Sequence, residues 1–207
     1  MGQGGESRGS SAPAVAPSPW VLRFAPQMAA GCRVLDLACG SGRHSRLFLD
    51  RGHPVLAVDR DLSRLGALAD HPGLETLQCD LEDGGTPGFL ERGFGGIVVT
   101  NYLFRPLFPA LLGALAPGGL LLYETFARGN ERFGRPRNPD FLLAEGELLD
   151  WLHPQLEVLA YENLEVREPK PAMVQRIAAM RPAAPAAKRP KGPEDPENPE
   201  DPEGEAV

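Results

Sequence analysis

The chain has 207 residues, of which 42% are hydrophobic and 24% are charged, a composition typical of a globular protein in water. Its formal net charge is −7, but residues 192–207 carry seven acids and no base, so the rest of the chain is neutral overall. A neutral body argues against broad nucleic-acid binding, which needs a basic face.

The three cysteines, Cys32, Cys39 and Cys79, are too few for a disulfide framework or a zinc site. Their number predicts reduced thiols, a cytoplasmic location and no metal.

The prolines concentrate at the two ends, because residues 1–19 and 181–207 hold 10 of the 22. Segments of this composition bury too little apolar surface to offset the entropy of ordering them. We therefore predict disordered tails over residues 1–17 and 181–207, with one folded domain over residues 18–180. We expect no signal peptide and no membrane association, since the longest apolar stretch, 110–122, is interrupted by Pro and Gly and is too short to span a bilayer.

Strand-like and helix-like segments alternate along the predicted domain. Ser18 and Pro19 are typical of a helix N-cap and first turn, and they predict a short helix through residue 25. Further helices are predicted over 43–51, 62–69, 106–116 and 145–152. Strands are predicted over 33–37, 55–59, 74–79, 97–100, 120–126, 157–166 and 173–180. Because only a short connector separates the last two strands, the sequence predicts an α/β, Rossmann-like and mostly parallel seven-stranded sheet with a C-terminal antiparallel hairpin and helices on both faces.

The segment 34–45 carries the strongest functional signal, since it combines a buried strand, a glycine-rich turn and a helix. Glycines in such a turn let the backbone approach a ligand, and ligands of parallel sheets bind at the carboxyl ends of the strands. Asp36 precedes this turn, while Asp59 and Asp80 follow the next two strands. Three acids at successive strand ends outline one long polar ligand, and a carboxylate at the position of Asp59 can accept two ribose hydroxyls.

A nicotinamide dinucleotide is the competing ligand for this segment. Its fingerprint, Gly-x-Gly-x-x-Gly, needs a third glycine where this chain has Ser45. Asp36, just before the glycines, would also sit badly beside a pyrophosphate. That carboxylate would instead suit the cationic tail of an amino acid.

The residues Asp36-Leu-Ala38-Cys-Gly40-Ser-Gly42 resemble the acid-x-Gly-x-Gly-x-Gly motif of class I S-adenosylmethionine-dependent methyltransferases. Ala38 replaces the first glycine, as in many small bacterial members that resemble tellurite-resistance methyltransferases. The resemblance covers residues 18–180, including the terminal hairpin. It implies methyl transfer from S-adenosylmethionine to a small-molecule acceptor.

The resemblance also implies where the methyl donor binds. Asp36 would orient the methionine ammonium, directly or through water, and Asp59 would hold the ribose. Asn101, at the end of the fourth strand, would contact the methionine part and border the acceptor. The remaining donor contacts would be Ala38, Gly40 and Gly42 along the methionine moiety, Arg60 along the adenine, Asp80 facing the adenine amino group, and Leu81 beside it.

No catalytic triad is expected, because a sulfonium donor already carries a good leaving group and needs mainly an in-line approach in a dry site. If the acceptor must lose a proton, the candidate bases are Tyr102, Glu124 and His44. For His44 we favour a local hydrogen-bonding role.

Residues 126–143 follow the fifth predicted strand, so they should hang over the edge where the acceptor binds. They include Arg132, Arg135 and Arg137, whose guanidinium groups match carboxylate or phosphate. One interpretation is an anion-binding lid, which predicts an anionic acceptor. The other is a solvated loop whose arginines pair with neighbouring acids, although loops this long are often functional.

Two other functions stay open. A protein that binds S-adenosylmethionine or S-adenosylhomocysteine without transferring a methyl group would have the same pocket. A methyltransferase acting on a macromolecule is disfavoured by the neutral body. It is also disfavoured by residues 100–103, Thr-Asn-Tyr-Leu, which lack the Asn/Asp-Pro-Pro-aromatic motif of adenine-N6 chemistry.

Overall fold

The computed structural model describes residues 15–183, and the two predicted tails fall almost entirely outside that range. The strands are β1 (Val34–Leu37), β2 (Val55–Asp59), β3 (Leu74–Gln78), β4 (Phe94–Thr100), β5 (Leu115–Phe126), β6 (Glu157–Val166) and β7 (Ala172–Met180). The helices are α1 (Pro19–Phe24), α2 (Arg43–Leu49), α3 (Phe108–Ala114) and α4 (Glu147–Leu152). Five of the seven strands come before α4, so the chain finishes most of the sheet before it adds the hairpin.

All seven strands form one sheet in the order β3-β2-β1-β4-β5-β7-β6. The first five strands are parallel, whereas β7 pairs antiparallel with both β5 and β6. This confirms the predicted Rossmann-like sheet and its C-terminal hairpin. The chain runs outward from β1 to β3 and then returns to place β4 on the other side of β1, so the strand order reverses between β1 and β4.

Both faces of the sheet are covered, and side chains that alternate along each strand divide the core in two. On β4, Ile97 and Val99 pack on the face that carries α3 and α4, whereas Val98 packs on the face that carries α1 and α2. Trp20 of α1 and Phe48 of α2 are fully buried on that second face. The continuous apolar run in β4 therefore reflects burial on both sides. No helix within residues 15–183 is long and apolar enough to cross a membrane.

The N-terminal helix begins as the sequence predicts. The Ser18 hydroxyl accepts a hydrogen bond from the Trp20 amide at 3.1 Å, and Pro19 occupies the first turn. The Trp20 indole then donates to the carbonyl of Ile177 on β7 at 3.2 Å. The first helix is thereby anchored to the antiparallel end of the sheet.

Two predicted helices are shorter or less regular than expected. The segment Leu62–Asp70 is a 3₁₀ helix interrupted at Gly66, whose φ of 54° and ψ of −137° suit glycine alone. The helix predicted over 106–116 is a 3₁₀ turn, Arg105–Leu107, followed by α3, which ends at Ala114. It ends there because the next residue, Leu115, already pairs with Phe94 in the sheet.

Residues 117–119, Pro-Gly-Gly, lie inside β5, although their composition predicted a break before the strand. The ladder continues because the Gly118 amide donates to the Arg181 carbonyl and the Arg181 amide donates to the Gly119 carbonyl, each at 2.9 Å. A Cβ on Gly119 would lie only 2.8 Å from the Ala116 carbonyl oxygen. Glycine is therefore required for close packing at this point of the strand.

Candidate functional site

A cavity of about 640 Å³ opens at the carboxyl edge of the sheet, where the strand order reverses. This is the edge at which open α/β sheets bind their ligands, and the volume is in the range of small-molecule sites. Seven of the nine residues predicted to bind the methyl donor line it: Ala38, Gly40, Asp59, Arg60, Asp80, Leu81 and Asn101. Gly42 and Asp36 lie next to the cavity without lining it.

The turn after β1 is wound through three left-handed residues. Ala38, Gly40 and Gly42 have φ values of 53°, 57° and 71°. The conformation costs an alanine roughly 1–2 kcal/mol, whereas glycine adopts it freely. Ala38 and Gly40 thereby bring their backbone to the cavity wall.

Gly42 allows Leu65 and Leu68 to pack closely against the back of the turn. A Cβ there would lie 2.6 Å from Leu68 Cδ2 and 2.7 Å from Leu65 Cδ2. Its bare backbone lets the 3₁₀ segment Leu62–Asp70 close against the start of α2. Gly42 thus has a packing role beside the ligand contact that the sequence predicts for its backbone.

Asp36 lies beneath the turn and is 1% exposed. Its Oδ2 accepts hydrogen bonds from the Ser45 amide at 2.8 Å and from the Ser45 hydroxyl at 2.6 Å. Burial raises the pKa of this carboxyl to about 6, although both hydrogen bonds and the charge of Arg43 oppose the rise. Asp36 therefore fixes the first turn of α2.

Asp59 presents a carboxylate that two backbone amides hold in place. Its Oδ2 accepts from the Gly40 amide at 2.8 Å, and its Oδ1 accepts from the Asp61 amide at 3.0 Å. Each oxygen keeps a second lone pair. The carboxylate in the cavity wall can therefore accept two hydroxyls.

The turns after β2 and β3 form the far end of the cavity. Asp80 Oδ1 accepts from the Glu82 amide at 3.0 Å, and the Arg60 carbonyl accepts from Gln78 Nε2 at 3.0 Å. Leu81 is buried beside them and contributes an apolar surface. An apolar floor with carboxylates at its rim suits a heteroaromatic ring that carries N–H donors.

The end of β4 closes the near side of the cavity. Asn101 has a φ of 56°, and its amide donates to the Glu124 carbonyl at 2.9 Å. Thr100 Oγ1 accepts from Arg43 Nη2 at 3.5 Å. Arg43 follows the glycine turn directly and lines the same cavity, so it places a fixed positive charge beside that turn.

Two of the three candidate bases are engaged outside the cavity. His44 Nε2 accepts from the Ser18 amide at 3.1 Å, and burial lowers the pKa of this imidazole to about 3. His44 is therefore neutral and has the local role that the sequence favoured. Glu124 accepts from the Ser18 hydroxyl at 2.8 Å and pairs with Arg176 at 3.4 Å.

Tyr102 is the candidate base that does line the cavity. Its hydroxyl is buried and lies close to the Glu82 carboxylate, but it forms no well-aligned hydrogen bond within residues 15–183. Burial raises the pKa of this phenol above its usual range, and the negative charges of Glu82 and Asp80 raise it further. The group is thus a neutral hydroxyl at physiological pH, suited to forming a hydrogen bond rather than to removing a proton. The Tyr123 hydroxyl donates to the Tyr102 carbonyl at 2.9 Å and holds its backbone.

A second cavity of about 230 Å³ adjoins the first. Glu82, Asn101, Tyr102 and Phe141 line both cavities. The remaining lining residues of the smaller cavity are Leu103, Thr125, Phe126 and Pro136. This adjoining cavity is therefore reached from the larger one past Asn101 and Tyr102.

Residues 127–144, here called the cover segment, run from the end of β5 over both cavities. Pro136 and Phe141 of this segment line the adjoining cavity, so the segment does lie at the site, as predicted. Arg105 fixes its far end, since Nη1 donates to the Asp140 carbonyl at 2.6 Å and Nη2 donates to the Leu142 carbonyl at 3.0 Å. The same guanidinium pairs with Glu147 at 2.6 Å.

Two buried amide side chains also hold the cover segment. Gln175 is fully buried; its Nε2 donates to the Ala144 carbonyl and its Oε1 accepts from the Leu148 amide, both at 2.8 Å. Asn130, which is 1% exposed, donates to the Pro136 carbonyl at 3.2 Å. The segment thus has a defined shape before any ligand binds.

The arginines of the cover segment that the sequence suggested as acceptor contacts line neither cavity. Arg132 contacts Glu165 at 3.5 Å, and Arg137 donates to the Gly134 carbonyl at 3.4 Å. Arg135 is exposed. These positions fit the alternative of a solvated loop.

The cavity also contains residues to which the sequence gave no role, namely Arg43, Arg64, Glu82 and Phe141. The sequence could have identified Arg43, which directly follows the glycine turn, and Glu82, which lies two residues after Asp80. Arg64 and Phe141 lie in irregular segments that lack a regular hydrophobic pattern, so the sequence does not indicate that they line the cavity. Among residues 15–183, no three His, Cys, Asp or Glu side chains cluster so as to hold a metal ion.

No protein-family model matches the chain, and no curated protein matches its sequence. Solved structures do match its fold. TehB from Haemophilus influenzae aligns with a TM-score of 0.61 and 19% identity, over 77% of this chain and 61% of that one. The 1,6-didemethyltoxoflavin-N1-methyltransferase from Burkholderia thailandensis aligns with a TM-score of 0.59 and 19% identity, over 79% and 77%.

These likenesses show that the chain has the fold of class I S-adenosylmethionine-dependent methyltransferases, as predicted. The chain spans about three fifths of the length of TehB. The [4+2]-cyclase SpnF also shares the fold, with a TM-score of 0.60 and 14% identity, over 79% of this chain and 80% of that one. Since one fold serves different reactions, function must be argued from the site itself.

Proposed function

We propose that the chain binds S-adenosylmethionine in the 640 Å³ cavity and transfers its methyl group to a small-molecule acceptor. The main support is that seven predicted donor contacts, which lie on four separate turns of the chain, meet in this one cavity. The parallel strands bring these turns to one edge of the sheet, and the carboxylates, glycine backbone and amide that the turns carry match the groups of one polar ligand. The methyltransferase-like fold is consistent with the same assignment.

The residues fit the chemical groups of this donor from end to end. Asp59 would accept the two ribose hydroxyls, because both of its oxygens are held by amides and retain free lone pairs. Asp80 would accept from the adenine amino group, with Leu81 beneath the ring and Arg60 along it. Asn101 would border the methionine part near the adjoining cavity.

The charges of the methionine end are also matched. Arg43 would pair with the carboxylate, since its guanidinium lies beside the glycine turn. Asp36 would act on the ammonium through water, because its carboxylate lies beneath the turn and is bonded to Ser45. We therefore assign Asp36 chiefly a positioning role.

When bound, S-adenosylmethionine supplies a methyl carbon that an acceptor lone pair can attack while the C–S electrons return to sulfur. The protein then has to align the acceptor and exclude water. Phe141 and Pro136 of the cover segment would shield the reacting centre. Tyr102 and Asn101 would border it on the strand side. We also propose a cytoplasmic location, which the three free thiols Cys32, Cys39 and Cys79 support.

Calorimetric titration with S-adenosylmethionine and, in parallel, with NADH tests the donor assignment. We expect micromolar binding of S-adenosylmethionine alone; binding of NADH alone would instead favour a dinucleotide enzyme. Transfer of a labelled methyl group to a panel of small acceptors then separates an enzyme from a protein that binds the donor without reacting. Label that appears only in added protein or nucleic acid would point to a macromolecular acceptor.

A further inference from the structure

The adjoining cavity indicates which class of acceptor the site takes. We propose that it selects a compact acceptor without negative charge, whose apolar body fills the cavity and whose polar atom hydrogen-bonds to the Tyr102 hydroxyl. This inference rests on the proposed function, because the donor must occupy the larger cavity. It replaces the anionic acceptor that the arginine-rich cover segment suggested.

Size is the first restriction on the acceptor. The adjoining cavity measures about 230 Å³, which is below the roughly 300–1,000 Å³ of pockets that hold drug-sized ligands. One or two fused rings, or a short branched chain, fit such a volume. A nucleotide or an oligosaccharide would extend beyond it.

The lining of the adjoining cavity is mainly carbon. Leu103, Phe126, Pro136 and Phe141 provide apolar surface, and the ring of Tyr102 adds to it. Burial of an apolar acceptor body against these groups is favourable in proportion to the apolar surface removed from water. A planar or apolar body is therefore preferred over a polar one.

Charge is the second restriction. Glu82 is the one charged residue in the lining of this cavity, within residues 15–183. An anionic acceptor would face a carboxylate and would find no cation among those lining residues. Moving a charge out of water without a partner is strongly disfavoured. Repulsion between an anionic acceptor and Glu82 would also contribute to specificity against anions. A neutral or cationic acceptor avoids this cost.

Tyr102 provides the polar contact. Its hydroxyl is buried at the junction of the two cavities, close to the Glu82 carboxylate but without a well-aligned hydrogen bond, and a poorly satisfied buried donor is unfavourable. An acceptor with a nitrogen or oxygen lone pair would satisfy it. In the reaction, a lone pair of the acceptor forms the new bond to the methyl carbon, the C–S bond breaks toward sulfur, and a displaced N–H or O–H proton leaves to water.

The test begins with wild-type protein saturated with S-adenosylhomocysteine, after binding of that product has been measured. The probes are matched pairs that differ by one carboxylate: phenol with 4-hydroxybenzoate, and benzimidazole with benzimidazole-5-carboxylate. Binding is followed by NMR titration, and transfer by labelled S-adenosylmethionine. We expect the uncharged member of a pair to bind at least tenfold more tightly than the carboxylate.

Two tyrosine variants separate recognition from structure. Tyr102→Phe should weaken probe binding about five- to tenfold and leave the melting temperature unchanged or higher, because the lost hydroxyl lies near the Glu82 carboxylate without a well-aligned hydrogen bond in the free protein. Tyr161→Phe is the control, since that hydroxyl accepts from the Gly146 amide at 3.2 Å away from both cavities. It should lower the melting temperature and leave probe binding unchanged.

The outcomes distinguish failure of donor binding from failure of the proposed acceptor class. If neither S-adenosylmethionine nor S-adenosylhomocysteine binds, the proposed function fails and the inference fails with it. If they bind but no uncharged probe does, or the carboxylates bind equally well, only the inference is wrong. Probe affinity unchanged in Tyr102→Phe would likewise remove Tyr102 from acceptor recognition.

Discussion

The two halves of the site are held together in different ways. The donor wall, made by the turns after β1, β2 and β3, is held by side-chain hydrogen bonds that span at most 19 residues, such as Asp59 to Gly40 and Asp80 to Glu82. The cover segment depends on side chains from distant parts of the chain. Arg105 lies 35 residues before Asp140 and 37 before Leu142, whose carbonyls it holds, and Gln175 lies 31 residues after Ala144.

This difference separates donor binding from acceptor choice. The donor wall is held by its own carboxylates, Asp36, Asp59 and Asp80, and none of their hydrogen bonds reaches the cover segment. The cover segment can be reshaped by changing the few side chains that hold it, without touching the donor turns. The structure thus allows the acceptor cavity to vary while the donor site stays constant.

The largest expected effect comes from the support of the cover segment. Gln175→Leu would leave the Ala144 carbonyl and the Leu148 amide unpaired in a buried position. Two buried backbone groups without partners should lower the free energy of unfolding by about 4 kcal/mol. Urea unfolding measures this loss. Gln155→Leu, at an exposed position, is the control and should change stability by less than about 0.5 kcal/mol.

If the two halves are independent, the same Gln175→Leu variant should bind S-adenosylmethionine with wild-type affinity while it remains folded. Calorimetry below its melting temperature checks this. A parallel loss of donor affinity would show that the cover segment also shapes the donor wall.

The next effect concerns Asp36 in the donor wall. Burial raises its pKa from 3.8 to about 6, so between those values the folded protein holds a proton that the unfolded chain has lost. The contribution of this carboxyl to the free energy of unfolding is largest below about pH 4, and it decreases as the pH rises to about 6. A shift of about two units corresponds to about 3 kcal/mol.

Asp36→Asn removes this dependence, because the amide does not titrate. The variant should match the wild type near pH 4 and exceed its unfolding free energy by about 3 kcal/mol at pH 7. Arg43 and Asp59 act on the wild-type carboxyl in opposite directions, and neither is changed by the substitution. Urea unfolding at pH 4, 5, 6 and 7 provides the comparison; equal slopes in the two proteins would contradict the assignment.

The same contrast explains what the sequence could predict. Asp59 ends the apolar strand Val55–Asp59, and Asp80 follows the more polar strand Leu74–Gln78, so acids after both strands could be predicted from the sequence. The position of Phe141 over the site depends on Arg105, which is far away in the chain and has no periodic signal. The sequence predicts Asp36 near the end of its strand. It does not predict that the Asp36 carboxylate is buried and accepts hydrogen bonds from Ser45, because these contacts depend on how α2 packs against β1.

Asp59→Ala tests the donor wall directly. Loss of charge-assisted hydrogen bonds to the ribose should weaken S-adenosylmethionine binding by about 2 kcal/mol, or roughly thirtyfold. Asp61→Ala is the matched control, because Asp61 caps the following 3₁₀ segment and does not line the cavity. Calorimetric affinities that fall equally in both variants would indicate a general effect on the turn instead of a ribose contact.

The smallest expected effect distinguishes backbone strain from packing in the donor wall. Gly42→Ala and Gly31→Ala both place alanine at a left-handed position, with φ values of 71° and 66°. The Cβ at position 42 would also meet Leu65 and Leu68 at 2.7 and 2.6 Å, whereas no atom lies within 4 Å at position 31. Because the atoms met are the ends of leucine side chains, which can shift, the extra cost should be only about 1 kcal/mol. Thermal unfolding of the two variants measures that difference; if Gly31→Ala is as destabilised as Gly42→Ala, strain alone explains the glycine, and the contact with the Leu62–Asp70 segment contributes nothing.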